Sequence, residues 1–154
     1  MRALGILVLV AGASLAADSD LDPASPEVLQ FVRDAQSVYI FPWKPHSGLS
    51  VDTSRVRLLS RDARDSLVGI IGDPAHWENG FLDYIVPGDL PPNVGILFRR
   101  GADELALFCR SPWGIQATFH GKRGWSDLTD DAKEQLEKWK QRYASKELKA
   151  QPRK

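Results

Sequence analysis

The tightest constraint on what this chain can fold into lies between Val94 and His120, where three short runs are separated by turn-forming residues at Gly101–Asp103 and Ser111–Gly114. In the third run Ile115, Ala117 and Phe119 alternate with Gln116, Thr118 and His120. Side chains of a strand point to opposite faces in turn, so this period of two means one buried face and one polar face. In the second run Leu105, Leu107 and Cys109 share one parity, and Glu104 and Arg110 take the other. Three such runs, each too short for a stable helix, predict an antiparallel three-stranded meander that needs a cover for its apolar face.

The flanking sequence supplies that cover. Ser25 is placed to cap a helix with Pro26 at its first position, and Val28, Leu29, Phe31 and Val32 recur at helical spacing up to Ala35. Ser60 is placed to cap a second helix that buries Ala63, Leu67, Ile70 and Ile71 and ends at Gly72 and Pro74. Thr129 does the same for a third, with Ala132, Leu136, Trp139 and Tyr143 in one stripe and Asp130 and Asp131 suited to its positive end. Val38–Phe41 is apolar on both parities, as in a strand covered on two sides, and Val56, Leu58 and Leu59 suggest a further strand. Between Ala75 and Pro92 the pattern is irregular, with turns at Asn79-Gly80, Pro87-Gly88 and Pro91-Pro92. The expected class is α+β: a mainly antiparallel sheet of about five strands, with the meander at its C-terminal side, packed against two or three helices.

The first residues have another use. Met1 and Arg2 precede an apolar run from Ala3 to Ala13 and the small residues Ser14, Ala16 and Ala17, the layout of a cleavable secretory signal peptide. The run falls short of the roughly 20 residues a membrane-spanning helix needs, and the acids Asp18, Asp20 and Asp22 follow it. The only cysteine is Cys109, so no cysteine stands at the cleavage point to take a lipid. The expected organisation is a signal peptide at 1–17, a linker at 18–26, one α+β domain at 27–143 and a basic flexible tail at 144–154. The expected location is periplasmic or extracellular, without a membrane anchor after processing. One cysteine allows no intramolecular disulfide, so stability rests on the core. The whole chain carries 20 basic and 20 acidic residues, and the loss of Arg2 with the signal leaves a balance of minus one, which argues against nucleic acid as a partner.

The order of elements, carried by DAQSVYIFPWKP, VRLLSRDARDSLVGII and NVGILFRRGADELALFCRSPWGIQATFHGK, resembles a family of small secreted bacterial proteins of uncharacterised function. The resemblance spans about residues 35–143. It implies the same architecture and no reaction. That family's pattern often places a second cysteine near the equivalent of Cys109, and this chain has none.

Three groups of residues could carry chemistry. Cys109 with His120 suggests a thiol nucleophile, but Cys109 shares the core-facing parity of Leu105 and Leu107, where a thiol is protonated and inert. His46, His76 and His120, with Asp73, Glu78 and Asp83 near the middle one, suggest a metal-assisted hydrolase or an acid–base pair, although none of their spacings is that of a local ligand pair. Trp43, Trp77, Trp113 and Trp125 fall in or beside predicted loops. Of these, Trp113 at a hairpin tip, followed by His120, Lys122, Arg123 and Trp125, makes an aromatic and basic ribbon typical of an interaction surface. The alternative role for these rings is to cover the open side of the sheet. No phosphate-loop, nucleophile-elbow or cofactor signature is present, since Gly121–Gly124 lacks the strand-loop-helix context. The preferred reading is therefore a non-catalytic binding module of the bacterial envelope, acting without a cofactor on an unknown envelope or extracellular protein or ligand. A small metal-assisted hydrolase built on the three histidines is the alternative.

Overall fold

Each of the three main helices begins at the hydroxyl expected to cap it. In the computed structural model, which describes residues 21–44, 48–78, 94–109 and 114–149, α1 runs Pro26–Asp34, with Ser25 Oγ accepting from the Val28 amide. Helix α2 runs Arg61–Ile71 under Ser60, and α3 runs Asp130–Trp139 under Thr129. Each cap satisfies an amide that the first helical turn leaves without a partner.

Between and after the helices lie seven strands: β1 Ser37–Pro42, β2 Arg57–Leu58, β3 Trp77–Glu78, β4 Val94–Arg100, β5 Asp103–Cys109, β6 Ile115–Phe119 and β7 Lys122–Leu128. They form one antiparallel sheet in the order β2-β1-β4-β5-β6-β7-β3. The α+β class is as expected, and the sheet exceeds the expected five strands by β3 and β7. The expected meander β4-β5-β6 is present, with Ile96 opposite Leu107 and Leu107 opposite Ala117. It continues into β7 through a tight turn in which His120 and Gly121 both have positive φ, 52° and 76°. Two successive left-handed residues give the hairpin turn whose twist matches that of the strands.

Alternation sends Val38, Ile40, Ile96, Phe98, Leu105, Leu107, Cys109, Ile115, Ala117 and Phe119 to one face, where they meet the apolar stripes of α1, α2 and α3. Trp139 ties two of those helices together by donating its indole N–H to the Ala63 carbonyl at 2.9 Å. The end of α2 is closed by side chains from three places. Arg33 donates to the Gly72 carbonyl, Trp77 donates to the Ile71 carbonyl, and His76 Nδ1 lies 2.8 Å from the Ile70 carbonyl oxygen. Helix-terminal carbonyls lack intrahelical donors, and here Arg33, Trp77 and His76 answer them.

The opposite face has a different cover. Phe41, Leu97, Ala106 and Phe108 are buried there under Trp43, with Tyr39, Leu49, Val51 and Val56 packed around them. Trp43, expected in a loop, is indeed outside the strands, but it is 6% exposed and donates to the Gly48 carbonyl. Gly95 makes room for this layer, since a Cβ at that position would fall 2.0 Å from the Phe41 ring.

The ends of the domain extend beyond the expected limits. Within the segment read as a linker, Pro23 is buried and Leu21 packs against the main core. The Leu21 amide donates to the Arg123 carbonyl at 3.3 Å, and its own carbonyl passes so close to Gly124 that a Cβ there would lie 1.6 Å away. At the other end Ser145–Lys149 of the basic segment is helical. α3 passes through a wide turn at Lys140–Ala144 into a short α4, Ser145–Lys149, whose Leu148 touches the core.

Candidate functional site

Among the described residues, the loop-borne cover of the second face reaches as far as β5. Beyond it, cross-strand pairing fixes which residues of β6 and β7 share that face: Gln116 lies opposite Trp125, and Thr118 lies opposite Arg123. Phe108 opposite Gln116 and Ala106 opposite Thr118 carry the same face back to the covered side. Gln116 and Thr118 are half-buried, Arg123 is exposed, and Trp125 is 40% exposed. The result is a shelf of four side chains, bounded on its β5 side by the Trp43 layer. Directly opposed residues lie about 5 Å apart and alternate residues along a strand about 7 Å apart, so the four side chains are within reach of one small ligand.

The sheet divides the residues that sequence reasoning grouped together. Arg123 and Trp125 share a face. Lys122, opposite Phe119, has the other parity and stands at the end of the helix-covered side. His120 sits in the turn itself, its Nδ1 3.9 Å from an Asp103 carboxylate oxygen and its ring centroid 4.0 Å from that of Phe119, the two rings tilted by 45°. Trp113 lies outside the described residues. Gln116 and Thr118 were not among the candidate site residues, although their polar parity within β6 was visible in the alternation.

His76 and His120 do not share a site. His76 immediately precedes β3, and its carbonyl accepts from the Thr129 amide just past the far end of β7. His120 is at the near end of that strand, so the length of β7, roughly 25 Å at about 3.3 Å per residue, separates the two. His76 is engaged with Ile70 and lies 3.7 Å from Asp73, while Asp73 caps the turn Pro74–His76 through the Ala75 amide. His46 and Asp83 lie outside the described residues. Among the described residues no three histidine, cysteine or acidic side chains gather as a metal site would require.

Cys109 is buried at the end of β5, facing the core as its parity predicts. Burial pushes its thiol up to about 12; the nearby Lys140 ammonium pulls the other way and Glu137 adds to the rise. His120 pairs with none of this, because Cys109 lies opposite Ile115 while Phe119, at the other end of β6, leads into the histidine turn. A thiol held neutral and away from an imidazole is not a nucleophile at neutral pH. Lys140 is itself buried, with Glu137 as its ion-pair partner, one helical turn apart.

The remaining tryptophans are structural. Trp77 and Trp139 spend their indole N–H groups on helix carbonyls, and Trp43 seals the second face. Trp125 differs from them in being 40% exposed. No helix among the described residues is long and apolar enough to cross a membrane. Comparison with known proteins yields no match, whether to a protein family, to a curated protein or to a solved structure.

Proposed function

We propose that the mature chain is a secreted, non-catalytic binding module of the bacterial envelope, and that it holds its ligand on the β6–β7 shelf. The observation that carries this reading is the 40% exposure of Trp125, greater than that of the other described tryptophans, which are buried or half-buried. A large flat ring left partly in water beside an exposed guanidinium offers contact area at a low cost in side-chain entropy. The signal-like residues 1–17 support the location. The scatter of the histidines and the neutral Cys109 favour binding over catalysis.

The reading is tested by affinity capture from envelope extracts with the mature protein, run in parallel with Trp125→Ala and Trp113→Ala. The ligand recovered by the wild type should be lost with Trp125→Ala. Equal recovery by that variant removes the shelf as the binding face, and the Trp113 variant reports whether the neighbouring hairpin tip belongs to it.

A further inference from the structure

We propose a second interaction surface at the other edge of the sheet, where the outer side of β2 takes up an extended acidic segment of a partner protein as an added strand. Strand β2 ends the sheet, and β1, β4 and β5 separate it from β6.

The pairing of β2 with β1 decides which of its backbone groups face outward. Tyr39 lies opposite Leu58, and the Leu59 amide donates to the Val38 carbonyl at 2.9 Å. In an antiparallel ladder that bond flanks a pair whose own N–H and C=O groups point away from each other. The amide and carbonyl of Leu58 are therefore directed to the outer edge, where they form a template for one more strand. The Leu58 side chain stands beside them 61% exposed, more than any other large hydrophobic side chain among the described residues. An apolar side chain carried by the added strand would take that surface out of water.

Alternation places charge next to this leucine. Arg57, opposite Ile40, has the helix-side parity and is half-buried, and Arg61 is exposed at the start of α2 on the same side of the sheet. Neither is in an ion pair among the described residues, whereas Arg64, Arg99 and Arg100 are held by Asp65, Glu104 and Asp34. Of the acids near them in sequence, Asp52 accepts from Ser54, Asp65 holds Arg64, and Asp62 sits in the first turn of α2, near its positive end. An added strand that sets an apolar residue against Leu58 sends the residues on either side of it to the face of Arg57, so an acid there meets the guanidinium. The segment selected is extended and reads acid, apolar, acid. A second copy of this chain suits the edge less well, because pairing β2 with β2 about Leu58 puts the two Arg57 side chains at diagonal positions on one face.

The probe is an acetylated and amidated peptide, Ser-Thr-Asp-Val-Asp-Thr-Ser, set against a counterpart with lysine in place of both aspartates. Each is titrated into the mature protein and followed at the backbone amides by NMR. The acidic peptide should shift the Leu58 amide and protect it from hydrogen exchange, and the lysine peptide should bind at least about tenfold more weakly, the loss expected for a charge-assisted pair left unmade. Arg57→Glu should reverse that preference, an outcome that loss of folding does not produce. Leu58→Pro removes the outward N–H without removing a bond to β1 and should abolish binding, whereas Trp125→Ala should leave it unchanged. Unchanged melting temperatures establish that the variants are folded. Failure of the acidic peptide to bind, equal affinity for the two peptides, shifts centred on β6 and β7 in place of Leu58, or binding indifferent to Leu58→Pro overturns the proposal. So does concentration-dependent dimerisation that Leu58→Pro removes, which would assign the edge to a second copy.

Discussion

On the helix side of the sheet, Ile96, Phe98, Leu105, Leu107 and Ala117 are sealed by three helices, each held at its start by a hydroxyl cap. On the other side, Leu97, Ala106 and Phe108 are sealed by Trp43 and a few residues of irregular chain, and β6 and β7 extend past that seal. Both faces come from the same alternation. They differ in what covers them among the described residues: amphipathic helices on one face, and on the other a short connection lying across three strands. The helix-covered face is therefore the main source of stability.

That contrast can be broken at several points. The strongest expected effect is chemical. With its thiol pushed to about 12 by burial, Cys109 should react with a thiol reagent at pH 8 about a thousandfold more slowly in the native protein than in urea, because the thiolate is scarcer by that factor. Comparable rates in the two states would mean that the helix-side core opens readily. The same shift links stability to pH. The folded thiol keeps its proton above the ordinary value of 9.0, so the folded state binds more protons between about pH 9 and 12, and stability should decline as the pH rises through that window.

Leu107→Ala, on the helix side, should lower the unfolding free energy by about 2–5 kcal/mol in urea denaturation, the range for a buried leucine whose cavity cannot fully collapse. Gly95→Ala probes the loop-covered side. Its new methyl meets the Phe41 ring, and forcing the two apart should cost about 1–3 kcal/mol, read from the same transition. A neutral result there would show that the thinner cover yields without penalty. The smallest effect belongs to the uncovered shelf, where Trp125→Ala should change stability by no more than about 0.5 kcal/mol while abolishing capture. A loss as large as that of Leu107→Ala would mean that Trp125 is a packing residue.

The features legible in the sequence were those with a local physical cause. Ser25, Ser60 and Thr129 are caps because a short hydroxyl can turn back onto an amide three residues on, and that requires no knowledge of the rest of the chain. The meander was legible because both of its faces are written in alternate residues. Strand β7 was not. Its residues Lys122, Arg123, Gly124, Trp125, Ser126 and Asp127 show no apolar period, since one face is partly open and Gly124 gives up its side chain to the passage of Leu21. The two-residue strands β2 and β3 are too short to show any period at all. The candidate site was half legible. Arg123 and Trp125 were chosen for their chemistry, but that Lys122 points to the other face and that Gln116 and Thr118 complete the shelf depends on register, which is set between strands.

The passage of Leu21 beside Gly124 also bears on the order in which the protein can assemble. Strand β1 finds its partner in β4, with Ile40 opposite Ile96, and Leu21 is held by a residue of β7. A chain emerging from its N-terminus can pair β1 with β2 and set α1 against α2 early, but the other edge of β1 waits for β4, and Leu21 cannot be fastened until the last hairpin is made. Pairings so distant in sequence make folding slow and late. A nascent chain interrupted before β7 would carry β6 as a raw edge, open to pairing with other chains.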